Sequence, residues 1–195
     1  SSPTAIGSWV LYDLANTIFS MNIVSFFFVL WVTQVMGGTD AQYAYALSIS
    51  MAIIFVLSPL LGALTDQAPQ RMPFLVVATV ICVGLTLILG SGSLRASLVY
   101  CVFSNATYQA GLQFYDALLP DVSTEATRGR ISGIGVGAGY LGSFLGLAVA
   151  AMILGSGIDE LPLAEQTIRY RKVFLTTGIL FLIFALPCFI FVRER

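Results

Sequence analysis

Apolar residues do not alternate with polar ones along this chain but arrive in blocks. Six runs stand out, near residues 9–35, 41–64, 73–91, 97–119, 131–155 and 172–192. A helix that crosses a bilayer needs about 20 mostly apolar residues, and each run meets that length. Between them lie turn formers, "GGTD" at 37–40, "SGS" at 91–93 and "PDVST" at 120–124. In lipid only helices or closed barrels satisfy their own backbone. The pattern therefore predicts an all-α integral membrane protein, a single domain over residues 1–195 built as a bundle of six transmembrane helices. The first run is too long for a cleavable signal peptide, and Asp13 stands where a basic leading region belongs. Trp9 and Tyr12 at one end of this run and Trp31 at the other predict membrane–water boundaries. Tyr43, Tyr100 and Tyr170 do the same where later runs begin.

Composition agrees. The 195 residues are 57% hydrophobic and 10% charged, with mean hydropathy +0.90, whereas soluble domains carry about 25% charged residues. A net charge of −1 gives no reason to expect a nucleic-acid partner. There is no histidine, which removes metal–histidine sites and histidine-based catalysis; no cofactor is expected. Cys82, Cys101 and Cys188 lie inside apolar runs and read as small buried hydrophobes. With the N-terminus in the cytoplasm, Arg71, Arg128, Arg130, Arg193 and Arg195 fall inside. Arg95, Arg169, Arg171 and Lys172 fall outside. By count that division does not decide the orientation; the N-terminus is expected in the cytoplasm.

Three features carry more than hydrophobicity. In the first run Asp13, Asn16, Thr17 and Ser20 follow i, i+3, i+4, i+7 and share one helical face. In the fourth, Asn105, Gln109, Gln113 and Asp116 share a face, with Tyr108 beside them. Such side chains turn to the bundle interior or to a water-filled cavity. In the fifth run Gly135 and Gly139, then Gly142 and Gly146, have the small-xxx-small spacing that allows close helix contact in lipid. Asp13 reads first as a latch or helix-start residue held by Asn16, Arg128 or Arg130. A proton- or cation-coupling carboxylate and a substrate contact are the alternatives.

The loop "GALTDQAPQRMPFL", residues 62–75, resembles the signature loop of the major facilitator superfamily. Gly62, Leu64, Asp66 and Arg71 match, while Gln67, Pro69 and Gln70 depart from it. The segment "FYDALLPDVSTEATRGRISGIG", residues 114–135, sets Asp116 and Asp121 against Arg128 and Arg130, as family members do. With "WVLYDLAN" these blocks are similar to the branch of autophagy-related vacuolar amino-acid effluxers and their bacterial relatives. The resemblance implies two inverted three-helix units and a cytoplasmic loop in which Asp66 and Arg71 latch the transporter halves. It also implies a gating role for Asp116, Asp121, Arg128 and Arg130, and a central substrate path lined by the first and fourth helices. The span-5 signature of proton-coupled antiporters is met at Gly133, Gly142 and Gly146, but Leu147, Ala150 and Ala151 depart from it. The implied protein is no enzyme. It is half of a secondary active transporter in a bacterial cytoplasmic membrane, moving a small solute, amino acids by the branch, through alternating access. Its partners are the solute, the bilayer and a second six-helix half. The sequence leaves open a small protein that pairs with itself; a channel or non-transporting scaffold is the weaker alternative. An intramembrane aspartyl protease lacks its Gly-x-Gly-Asp partner.

Overall fold

The computed structural model describes residues 2–194. Six long helices run through them. These are α1, Pro3–Val35; α2, Asp40–Gln67; α3, Met72–Leu87; α4, Leu94–Ala117; α5, Arg128–Leu154; and α6, Leu163–Phe191. A single helical turn, Leu119–Val122, follows α4, and no strand occurs among the described residues.

Local chemistry sets three of the six helix starts. Ser2 accepts from the Ala5 amide ahead of Pro3. Thr39 and Gln42 form a reciprocal capping box at α2, and Ser93 accepts from the Ala96 amide at α4. Each satisfies amides that a helix N-terminus leaves without partners. At the far end of α5 the chain leaves through Gly155 at φ +73°, a left-handed geometry that favours glycine. The sixth helix begins at Leu163, well before the expected start at 172. Its first turns carry Glu165, Arg169, Arg171 and Lys172, and a helix can continue past the bilayer where its side chains are polar. Arg169 and Glu165, one turn apart, pair at 2.8 Å.

By length and composition, α1, α2, α5 (with its continuation to Glu160) and α6 are able to cross a membrane. The 16 residues of α3 rise only about 24 Å, and the polar stripe of α4 lowers its hydropathy. The first helix is not uniform. It widens to π-helical geometry over Ser20–Phe26 and again over Trp31–Val35, and Phe26 departs from helical geometry at φ −136°, ψ −72°.

The packing repeats itself. Helix α1 packs against α5 and α6, α4 packs against α2 and α3, and α3 packs against α6. Exchanging α1–α3 for α4–α6 leaves these pairings unchanged, save that α5 also packs on α6. Trp9 meets Tyr115 and Phe19 meets Tyr108, so α1 and α4 run oppositely. Their equivalent places therefore correspond to two units of inverted topology.

The aromatic residues correct the expected interface belt. Trp9, Tyr12, Trp31, Tyr43 and Tyr170 are all buried inside the protein. Trp9 and Tyr115 stack at 4.6 Å. The indole Nε1 donates to the Tyr115 carbonyl at 3.3 Å, and the Tyr115 hydroxyl donates to the Trp9 carbonyl at 3.1 Å. Tyr12 Oη and Thr79 Oγ1 lie 2.8 Å apart, and the Tyr43 hydroxyl donates to the Val24 carbonyl. With the polar tips of Trp9, Tyr12 and Tyr43 bonded internally, these rings gain more from helix–helix packing than from a headgroup boundary; the buried Trp31 Nε1 has no hydrogen-bond partner among the described residues. Cys82, Cys101 and Cys188 are buried free thiols, as expected.

Candidate functional site

The two polar stripes do not face one shared space directly. Each lies first against a parallel helix. Along α1, a Cβ added at Gly135 would lie 2.8 Å from the Trp9 ring and 3.2 Å from Asp13 Oδ2. One at Gly139 would lie 3.0 Å from Thr17 Oγ1, and one at Gly142 would collide with the Leu14 carbonyl. One at Gly146 would lie 3.1 Å from Asn22 Oδ1. Residue numbers rise together on both helices, so α1 and α5 run parallel. All four glycines are buried, and the row admits the polar face of α1 at backbone distance.

The second seam is its counterpart. Asn105 Nδ2 donates to Ser50 Oγ at 2.7 Å, and Gln113 Nε2 donates to Ser58 Oγ at 3.1 Å. Both pairs are separated by 55 residues, so α2 and α4 also run parallel and in register. Tyr108 lies against Phe19, with ring centres 5.0 Å apart. Gln109 is half-buried and makes no side-chain hydrogen bond among the described residues.

Around Asp13 the geometry is specific. Asn16 Nδ2 donates to Asp13 Oδ1 at 3.2 Å, and Thr17 Oγ1 donates to the Asp13 carbonyl at 2.8 Å. No ion pair joins Asp13 to Arg128 or Arg130; both arginines are exposed. Of the expected latch partners only Asn16 reaches it. Asp13, Thr17, Val136, Gly139, Tyr140 and Ser143 enclose a groove of about 220 Å³. Ser20 is half-buried where the helix widens.

At the loop end, the expected pairing of Asp116 and Asp121 with Arg128 and Arg130 gives way to another. Asp121, buried, pairs instead with Arg71 at 3.5 Å. Arg71 Nε also donates to the Thr65 carbonyl at 2.8 Å, and its Nη1 to the Ala117 carbonyl at 3.5 Å. The Glu194 carboxylate accepts the Arg71 amide at 2.6 Å and the Met72 amide at 2.5 Å, closing the N-terminus of α3. Arg71 therefore joins the α2–α3 loop to the end of α4, and Glu194 joins it to the segment after α6. A buried carboxylate needs a charged partner, and Arg71 reaches Asp121 where the exposed Arg128 and Arg130 do not. Asp66 and Asp116 are exposed and form no ion pair among the described residues. Gly62 has nothing within 4 Å of an added Cβ, so no other helix among the described residues approaches it closely.

Several partners escaped the sequence reading. Ser50 and Ser58 repeat the eight-residue spacing of Asn105 and Gln113, a signal present in the chain. Asn22 donates to the Gly146 carbonyl at 3.2 Å and to Thr177 Oγ1 at 2.9 Å. It falls outside the ideal helical stripe because α1 widens there, although an amide inside an apolar run is itself a signal. Glu194 carries no local motif.

These features define a membrane protein made of a helical bundle with two polar seams and a charged clamp at one end. The sequence pattern of the Major Facilitator Superfamily matches residues 14–195, and the chain belongs to that family. It is 27% identical over 182 residues to the uncharacterized MFS-type transporter YxiO of Bacillus subtilis (strain 168), covering 88% of this chain and 42% of that protein. It is 29% identical over 189 residues to an uncharacterized protein of Aquifex aeolicus (strain VF5), covering 94% and 44%. The chain thus spans less than half the length of the curated relatives it matches.

Proposed function

We propose that the six helices cross the membrane as one half of a secondary active transporter, which moves a small solute by alternating access. The observation that carries this is the pair of polar seams. Each sets amide and hydroxyl groups, and α1 a carboxylate as well, inside helices whose surroundings are apolar, where a charged group without a partner or water costs several kcal/mol and marks a solute path. Membership of the family and the part-length match to its relatives support the same reading. Amino acids are the solute class that the resemblance of the loops suggests. The resemblance of the α2–α3 loop to a cytoplasmic loop of the family supports a cytoplasmic location for this end of the bundle and for the N-terminus. The membrane is then the bacterial cytoplasmic membrane, a reading supported by the source of the relatives, Bacillus subtilis and Aquifex aeolicus.

Exposed apolar side chains supply the face for a second half. Tyr45, Phe55 and Val56 on α2, and Tyr140, Phe144 and Met152 on α5, are all more than two-thirds exposed. The test is counterflow in proteoliposomes holding the intact transporter, with labelled amino acids against an unlabelled excess. Transient accumulation is expected. A single cysteine at Gln109, with the three native cysteines replaced by alanine, should react with a membrane-impermeant maleimide from either side in turn. Reaction from one side only, under every solute gradient, would rule out alternating access.

A further inference from the structure

We infer that the groove between α1 and α5 binds a primary ammonium group, with Asp13 as its counter-ion. The inference rests on the transporter reading and narrows its solute to one that carries an amine. The chemistry of the lining leads there. Asp13 Oδ1 is engaged by Asn16, whereas Oδ2 faces the glycine row, 3.7 Å from where a Cβ at Gly139 would stand. Thr17 spends its hydroxyl proton on the Asp13 carbonyl, and Ser143 spends its own on the Gly139 carbonyl at 3.4 Å. Both hydroxyls therefore turn lone pairs, not protons, to the groove. The carboxylate oxygen and two hydroxyl oxygens supply three acceptors, which match the three N–H donors of an ammonium. Tyr140 adds an aromatic ring on which a cation is stabilised.

Nothing in the bundle neutralises this charge. The two ion pairs among the described residues lie elsewhere, at Arg71–Asp121 and Arg169–Glu165. The other carboxylate near enough to feel Asp13, Asp116 on α4, has the same sign. An unpaired carboxylate does not face hydrocarbon, so the groove opens on the water-filled side of the bundle. The absence of side chains at Gly135 and Gly139 makes the room: a methyl at Gly139 would press on Thr17 Oγ1 at 3.0 Å.

Calorimetric titration of the intact transporter in nanodiscs tests this with ethanolamine and with ethylene glycol as a neutral counterpart. Ethanolamine should bind and ethylene glycol should not, and equimolar sodium should not displace the amine. Asp13→Asn should weaken ethanolamine roughly tenfold or more, and Ser143→Ala about fivefold. Ser143→Ala carries the test if Asp13→Asn proves unstable. Equal affinity in wild type and both variants, equal binding of ethylene glycol, or displacement by sodium would each overturn the assignment. The two readings fail separately. Counterflow indifferent to Asp13→Asn, without ethanolamine binding, removes the site and keeps the transporter. Ethanolamine binding without counterflow of any solute does the reverse.

Discussion

Gly142 and Gly137 lie on the same helix in opposite situations. A Cβ at Gly142 would strike the backbone of Leu14, whose carbonyl carbon lies 3.0 Å away, whereas one at Gly137 meets nothing within 4 Å. Backbone cannot rotate aside as a side-chain tip can, so Gly142→Ala must push α5 away from α1. Overpacking of this kind costs about 1–3 kcal/mol. At Gly137 the same methyl only improves helix propensity, by about 1 kcal/mol. In mild detergent Gly142→Ala should lower the melting temperature and Gly137→Ala should hold or raise it. Equal shifts would mean that α1 and α5 are not in backbone contact. Gly139→Leu belongs with Gly142→Ala, since its side chain would enter the Asp13 groove.

Between helices, the α2–α4 seam makes a sharper claim about register. Ser50 meets Asn105 and Ser58 meets Gln113 at the same sequence offset, so the matched pairs should couple and the crossed pair Ser58–Asn105 should not. Alanine double-mutant cycles, read by unfolding in detergent, should give about 0.6 kcal/mol, and up to about 1.7, for each matched pair. Coupling in the crossed pair alone would place the helices one step out of register. This seam also shows what the sequence made legible. The blocks of apolar residues located the helices, and the i, i+3, i+4, i+7 spacing put Asp13, Asn16 and Thr17 on one face. Helical periodicity says which residues share a face but not which neighbour that face meets. Hence the stripes read as lining one common space, while in the fold they first meet α5 and α2. The widening at Ser20–Phe26 hid Asn22, since periodicity assumes 3.6 residues per turn. Trp9 and Tyr12 read as boundary markers because an aromatic near the end of an apolar run looks the same whether it faces headgroups or a neighbouring helix.

At the scale of the whole molecule, the clamp and the loop carboxylate beside it separate what holds this bundle together from what awaits a partner. Arg71 bonds to Asp121, to two carbonyls and, through its amide, to Glu194. Arg71→Ala removes one ion-pair partner of the buried Asp121 together with the bonds to the Thr65 and Ala117 carbonyls, and should destabilise the bundle by about 0.5–3 kcal/mol; the guanidinium is 29% exposed, which moderates the loss. Hydrogen exchange at the start of α3 and over residues 118–122 should accelerate in this variant. Asp66, exposed and unpaired, should tolerate Asn within about 0.5 kcal/mol. In the intact transporter, however, Asp66→Asn should loosen the outward-facing state, seen as weaker crosslinking of the cytoplasmic gate. Unchanged crosslinking would confine the latch to Arg71. The last expectation concerns the apolar faces of α2 and α5. Light scattering of this chain in mild detergent, corrected for the micelle, should give a protein mass near 20.9 kDa. Detergent covers side chains such as Phe55 and Phe144 as lipid would, and on the proposed function their matching surface lies on a second half of different sequence. A mass near twice that value would mean that α2 and α5 of one copy pack on another copy. The groove at Asp13 would then occur twice about a two-fold axis, and counterflow should be sought with this chain alone.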